Sequence, residues 1–272
     1  MYNNIYIITS SNRDLSFLSE VCEIIKFSKK ENFEFSAEDD DLVFYFPDGT
    51  LITNPPVINA KNLLNFNFEG IELASNKIEC RKKLAKENIP IPKTWYKISE
   101  AQVPYIIRKQ YHSMGLETKI IKRKIDHEKR KKIIRAKDKL YFSELINVRR
   151  EYRAFVLNNK ILLIFDRDWK GSIEKTLKER EQIRRRRRDF SRIEASSKIK
   201  IEDQEVCINA MKAINLDYGA VDFVIDKKDN IYVLEINTRP FMDGQIVKDA
   251  LKKAFKDLKD GKQIKPFQYE VK

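Results

Sequence analysis

The sequence predicts an α+β (mixed α/β) chain, and three observations carry that prediction. Short β-branched runs alternate with helix-spaced segments, several strand pairs are joined by turns too short for a crossover, and no segment repeats. Residues 4–10 (NIYIITS) read as a buried strand, and residues 14–27 (DLSFLSEVCEIIKF) follow with helical spacing. DLVFYF, a turn at Pro47-Asp48-Gly49 and TLITN read as a hairpin. No glycine-rich loop follows the first strand, which argues against a dinucleotide site there. Ser75 to Asn88 reads as a helix, capped by Ser75 or Asn76 and ended by Pro90 and Pro92. YIIRKQ and ETKIIKRK read as strands around QYHSMG, and the basic segment KIDHEKRKKIIRAKDK follows. YFSELI and the stretch REYRAFVLNNKILLIFDRD read as strands, the latter turning at Asn158-Asn159. Residues 202–215 look like an amphipathic helix with Val206, Ile208, Ala210, Met211 and Ile214 available for burial. A further hairpin occupies residues 220–240, and residues 246–257 suggest a closing helix.

The bulk composition narrows the function. The chain has 272 residues, 42% hydrophobic, with 16 Phe and 11 Tyr, enough for a sizeable core. It contains no membrane-length apolar run, and MYNNIYIITSSNRD lacks the form of a secretion signal. Cys22, Cys80 and Cys207 are odd in number and far apart, so neither a disulfide framework nor a CxxC metal site is expected, and a reducing, cytoplasmic setting fits. The net charge of +13 has two readings, a lysine-rich solvated surface or a surface for acidic partners.

The hairpin AVDFVIDKKDNIYVLEINTRP poses the chemical question, because two carboxylates and an amide sit where strands are usually apolar. With KKDN as the turn, Asp226 faces Ile231 and Asp222 faces Glu235. Side chains alternate along a strand, so Asp222, Glu235 and Asn237 share one face. Val221, Phe223, Ile225, Tyr232, Leu234 and Ile236 then form the core face. Like charges opposed across a ladder repel, and burial removes their hydration. A hard divalent cation relieves both, since carboxylate and amide oxygens are ligands Mg²⁺ takes alongside phosphates and water. The other reading is an exposed face with incidental acids.

DFVIDKKDNIYVLEINTRP is similar to the metal hairpin of the ATP-grasp superfamily, residue by residue at Asp222, Glu235 and Asn237. The resemblance extends upstream over about residues 73–245 and is nearest to RimK-type peptide and glutamate ligases and phage-encoded ATP-grasp proteins. SNKIECRKKLAKENIPIPKTW resembles the family's helix with a phosphate-binding lysine, here Lys77. VPYIIRKQYHSMG resembles the strand and loop over the triphosphate, with Arg108 at the lysine position and His112, Ser113 and Gly115 in the loop. Relatives often carry more glycine in that loop. YFSELINVRREYR resembles the adenine hinge, which places Glu144, Leu145 and Ile146 at the base and Glu151 at the ribose. The resemblance implies catalytic roles for Arg153, Arg167 and Arg239 at the transferred phosphoryl group and acceptor.

The implied fold is two α+β subdomains clamping ATP, preceded by a small α/β domain: residues 1–72, a lid subdomain at 73–147 and a C-terminal subdomain with the metal site at 148–272. The implied activity is an ATP-dependent, ADP-forming carbon–nitrogen ligase working through an acylphosphate, with two Mg²⁺ (or Mn²⁺), an amino-acid or peptide carboxylate and an amine acceptor. A small-molecule kinase on the same fold and a non-catalytic basic nucleic-acid-binding protein are the competing classes. The run Arg184 to Arg188 reads either as a solvated helix face or as a rim for an acidic acceptor. Phe190 is its only neighbouring aromatic, which disfavours stacking on nucleic-acid bases. The oligomeric state is left open by the sequence, a homodimer being common on base rates.

Overall fold

A computed structural model describes residues 1–47, 55–111, 119–134, 139–167, 193–194, 199–240 and 244–267. The first sheet is parallel, ordered β2-β1-β4-β6, from β1 (Ile5–Thr9), β2 (Glu23–Lys26), β4 (Leu42–Phe46) and β6 (Asn62–Leu64). A separate parallel pair joins β3 (Glu34–Ser36) to β5 (Val57–Asn59). All five residues of β4 are buried, as expected of a strand covered on both faces.

One sequence expectation fails here. The helix expected over residues 14–27 is a single 3₁₀ turn at Ser16–Leu18 followed by β2, which runs parallel to β1. Ile24 and Ile25 are poor helix formers that suit a pleated surface, and β1 offers an edge for them to extend. β4 pairs in parallel with both β1 and β6 across Leu42–Phe44, and the returning arm of the hairpin expected after DLVFYF falls on residues 50–54. Asp48, Gly49 and residues 50–54 lie outside the described residues.

Two short helices follow. α1 (Phe68–Ser75) is capped by Asn67, whose side chain accepts from the Gly70 N–H at 2.8 Å. α2 (Lys77–Lys86) is capped by Asn76, which accepts from the Glu79 N–H at 3.3 Å. Gly70 is needed for close approach, since a Cβ there would lie 2.4 Å from the Ile214 carbonyl oxygen. Gly70→Ala is therefore expected to cost about 1–3 kcal/mol of stability, read as a lower urea midpoint.

The second sheet is antiparallel, ordered β7-β10-β8-β9: β7 (Thr94–Trp95), β8 (Tyr105–Lys109), β9 (Lys119–Ile121) and β10 (Leu140–Glu144). Its basic segment forms α3 (Lys124–Lys131), and Trp95, Tyr105, Ile107, Ile121 and Phe142 make its core. The third sheet runs β13-β12-β11-β14-β15, from β11 (Val148–Leu157), β12 (Lys160–Arg167), β13 (Ile193–Glu194), β14 (Tyr218–Asp226) and β15 (Ile231–Asn237). Asn158 and Asn159 turn β11 into β12 with φ of 47° and 58°, the left-handed region that asparagine tolerates.

α4 (Ile201–Ala213) covers one face of this sheet, burying Cys207, Ala210 and Met211 with Val221 and Phe223, while Val206 and Ile208 are only half-buried. α5 (Gln245–Lys259) does not stay with its own sheet alone. It packs Phe255 against Phe44 of the first sheet, ring centroids 5.1 Å apart, in a core shared with Phe155 and Tyr218. The first sheet thus shares its core with the third. Among the described residues no helix is long and apolar enough to cross a membrane.

Candidate active site

The strand pair β14–β15 places Asp222 directly opposite Glu235, the pairing expected from the turn. The route to that pairing differs. Near the turn Ile225, not Asp226, faces Ile231, and a bulge between Asp222 and Phe223 in the ladder recovers the register. The turn is longer because the Asp226 carboxylate accepts from the N–H groups of Lys228 (2.7 Å) and Asn230 (2.9 Å), with Asp229 at φ 64°. The consequence is a swap of faces. Val233, fully buried, and Ile231 take the core positions expected for Leu234 and Tyr232, which are half-exposed instead.

Asp222 is 3% exposed and is held on both oxygens by Arg153 of β11: Nε to Oδ1 at 2.6 Å and Nη2 to Oδ2 at 2.7 Å. Asn237 Nδ2 donates to Asp222 Oδ2 and to Glu235 Oε1, both at 3.2 Å. Four expected site residues thus meet in one cluster. Among the described residues no group of three His, Cys, Asp or Glu can hold a metal, and this cluster has two carboxylates and an amide. That donor set suits a hard cation whose remaining ligands come from phosphate and water. A half-turn of the Asn237 amide would present its oxygen, the change a cation between the carboxylates requires.

The other expected residues are placed as follows. Lys77 is buried at the start of α2, and its Nζ donates to the carbonyls of Ala74 (3.0 Å) and Ile236 (2.9 Å), so it meets main chain in this state. Its N–H donates to the Gln110 carbonyl at 3.0 Å, which ties β8 to α2. Arg108 of β8 is half-buried opposite Tyr141, and its Nε is buried with no hydrogen-bond partner. Glu144 is exposed at the end of β10, and the N–H of Leu145 donates to the Pro104 carbonyl at 3.3 Å. Ile146 is buried and its carbonyl accepts from Val148. Glu151 is half-buried two residues before Arg153, and the ladder sets Arg167 at the position opposite it. Arg239 is exposed, and its carbonyl accepts from Arg13 Nη2 at 3.4 Å. His112, Ser113, Gly115 and Arg184 to Arg188 lie outside the described residues.

Three features escaped the sequence reading. Arg81 of α2 is 3% exposed and donates to the Leu234 carbonyl at 2.7 Å. Arg13 donates to the Pro240 carbonyl at 2.5 Å, linking the segment after β1 to the residues that follow β15. Tyr232 lies near Glu144, and burial with Asp226 and Glu144 nearby pushes its phenol up. A basic residue four positions after Lys77 was the one available signal for Arg81. All three cysteines are buried, and burial pushes the Cys22 thiol up to about 12 and raises Cys80 and Cys207, so none is a thiolate nucleophile at neutral pH.

Residues 74–253 match the RimK-like ATP-grasp domain, and the chain belongs to that family, whose members are ADP-forming carbon–nitrogen ligases that bind ATP with Mg²⁺. The chain is similar in fold to a RiPP-associated ATP-grasp ligase from Chryseobacterium gregarium in complex with ADP and a leader and core peptide, with 16% identity, a TM-score of 0.64, and 95% and 97% of the two chains covered. It is also similar to the ATP-grasp ligase PsnB complexed with minimal precursor, Mg and ADP (13% identity, TM-score 0.63, 95% and 99% covered). A third is N5-carboxyaminoimidazole ribonucleotide synthetase from Thermotoga maritima (14% identity, TM-score 0.56, 97% and 77% covered). No curated protein sequence matches the chain.

Proposed function

We propose that this chain is a carboxylate–amine ligase acting on a peptide, joining a side-chain or terminal carboxylate to an amine with release of ADP and phosphate. The observation that carries this reading is the cluster of Asp222, Glu235, Asn237 and Arg153 on one face of the third sheet. The peptide substrates of the similar ligases named above support the substrate class. The three buried thiols fit a reducing cytoplasm.

In this reading the substrate carboxylate attacks the γ-phosphate and displaces ADP, forming an acylphosphate. The amine then attacks the acyl carbon, phosphate leaves, and the amine proton passes to solvent. Asp222, Glu235 and Asn237 would hold two divalent cations, Mg²⁺ with Mn²⁺ as substitute, which when bound neutralise phosphate charge. Arg153, Arg167 and Arg239 are assigned to the transferred phosphoryl group and the acceptor. Arg108 and Lys77 are assigned to the phosphates, the latter once its ammonium leaves the Ala74 and Ile236 carbonyls. Glu144, Leu145 and Ile146 are assigned to the adenine edge and Glu151 to the ribose, with His112, Ser113 and Gly115 in the covering loop. Catalysis is then positioning and charge neutralisation, with no nucleophilic side chain.

The test is MgATP turnover with a size-fractionated peptide pool, read by mass spectrometry. ADP together with a product joined by loss of water supports the reading. ADP with a phosphorylated product assigns a kinase instead. Arg108→Ala is expected to raise the KM for ATP about tenfold with a smaller change in kcat, the loss of roughly one charge-assisted hydrogen bond. An unchanged ATP dependence would remove Arg108 from the phosphate site.

A further inference from the structure

β15 is the outer strand of its sheet, and three of its main-chain groups bond outside the ladder. The Val233 N–H donates to the Pro90 carbonyl at 2.8 Å, the Leu234 carbonyl accepts from Arg81 Nη2 at 2.7 Å, and the Ile236 carbonyl accepts from Lys77 Nζ at 2.9 Å. Lys77 and Arg81 are one helical turn apart on α2, and Leu234 and Ile236 are alternate residues of the strand. The helix therefore grips the strand at two carbonyls on either side of Glu235, which is itself half-buried.

Leu234 is the extra residue of the bulge: Phe223 faces Val233 and Asp222 faces Glu235, so Leu234 has no partner in the ladder. Without the bulge, the register set at the turn would carry through, and Asp222 would face Leu234. The guanidinium that takes the Leu234 carbonyl thus sits at the point where the strand changes register.

Arg81 is an unusual residue to bury. It is 3% exposed, and among the described residues its partners are neutral: the Leu234 carbonyl, Thr94 Oγ1 at 3.2 Å and the Tyr141 ring at 5.2 Å. Its Nε is buried with no hydrogen-bond partner. A buried cation without a carboxylate is costly.

We infer that Arg81 is a positioning residue: by holding the bulge carbonyl of Leu234 it keeps Glu235 opposite Asp222 and so sets the affinity of the site for a divalent cation. This rests on the metal role proposed for Asp222 and Glu235. Groups that orient metal ligands typically tune metal affinity by about 10–100-fold.

The experiment is an electron paramagnetic resonance titration of the purified protein with Mn²⁺ in the presence of ADP, for wild type, Arg81→Met, Arg81→Lys and Glu235→Gln, each with a thermal melt. Arg81→Met is expected to weaken Mn²⁺ binding about tenfold or more. Arg81→Lys, which keeps one donor within reach of the carbonyl, is expected to recover part of that loss and to report on its own if Arg81→Met does not fold. Weakened melting of both variants with wild-type Mn²⁺ affinity would overturn the inference and leave Arg81 a packing residue. If Glu235→Gln also binds Mn²⁺ as wild type does, the metal site itself falls, and the inference falls with it. If Glu235→Gln weakens binding while both Arg81 variants do not, only the positioning role is lost.

Discussion

Glu235→Ala is expected to lower the rate of ADP release by about three orders of magnitude, since losing a metal carboxylate removes several kcal/mol of transition-state stabilisation and each 1.4 kcal/mol is tenfold. Asp222 is held on both oxygens by Arg153, and Asn237 Nδ2 donates to Glu235 Oε1 at 3.2 Å. The fold should survive, because removing one of two opposed like charges relieves repulsion in the ladder. The check is steady-state ADP release beside a denaturation curve. A folded variant with the wild-type rate would sink the assignment of the site.

Arg153→Ala is expected to destabilise the nucleotide-free protein by about 3–5 kcal/mol, because it leaves the buried Asp222 carboxylate without its guanidinium. The same substitution should cost less when Mg²⁺ and ADP are present. A cation at Asp222 would supply the positive charge that the arginine no longer does, and a ligand that binds only the folded state adds its own stabilisation. Urea unfolding of both proteins, with and without Mg²⁺ and ADP, measures the difference. An equal deficit under both conditions would mean that the cation does not sit at Asp222. Turnover should fall as well, since Arg153 is assigned to the transferred phosphoryl group.

The sequence made the central pairing legible for a simple reason. Two β-branched runs around a polar turn brought the acids to within one residue of register, and Asp222 does face Glu235, though only because the bulge offsets the longer turn. What it hid is the bulge. Asp226 reads as the last residue of a strand, but its side chain closes a longer turn, and a shift of one residue exchanges Tyr232 and Leu234 for Ile231 and Val233. Asn76 was legible as a cap because its side chain acts locally. Arg81 was not, because its partner Leu234 is brought to it by tertiary packing. The segment from Leu15 to Phe27 failed for the opposite reason. Its apolar spacing fits a helix, yet a parallel edge on β1 was available, and tertiary context decided.

The shared core of the first sheet and α5 has a consequence for how the chain is made. Phe44 packs on Phe255, the Tyr2 N–H donates to the Lys259 carbonyl, and Met1 lies against Gly261. At about 5–20 residues per second, β4 leaves the ribosome on the order of ten to forty seconds before α5 exists. During that interval the apolar side of β1 and β4 has no cover from its final partner. The nascent first sheet therefore stays without part of its core until α5 is made.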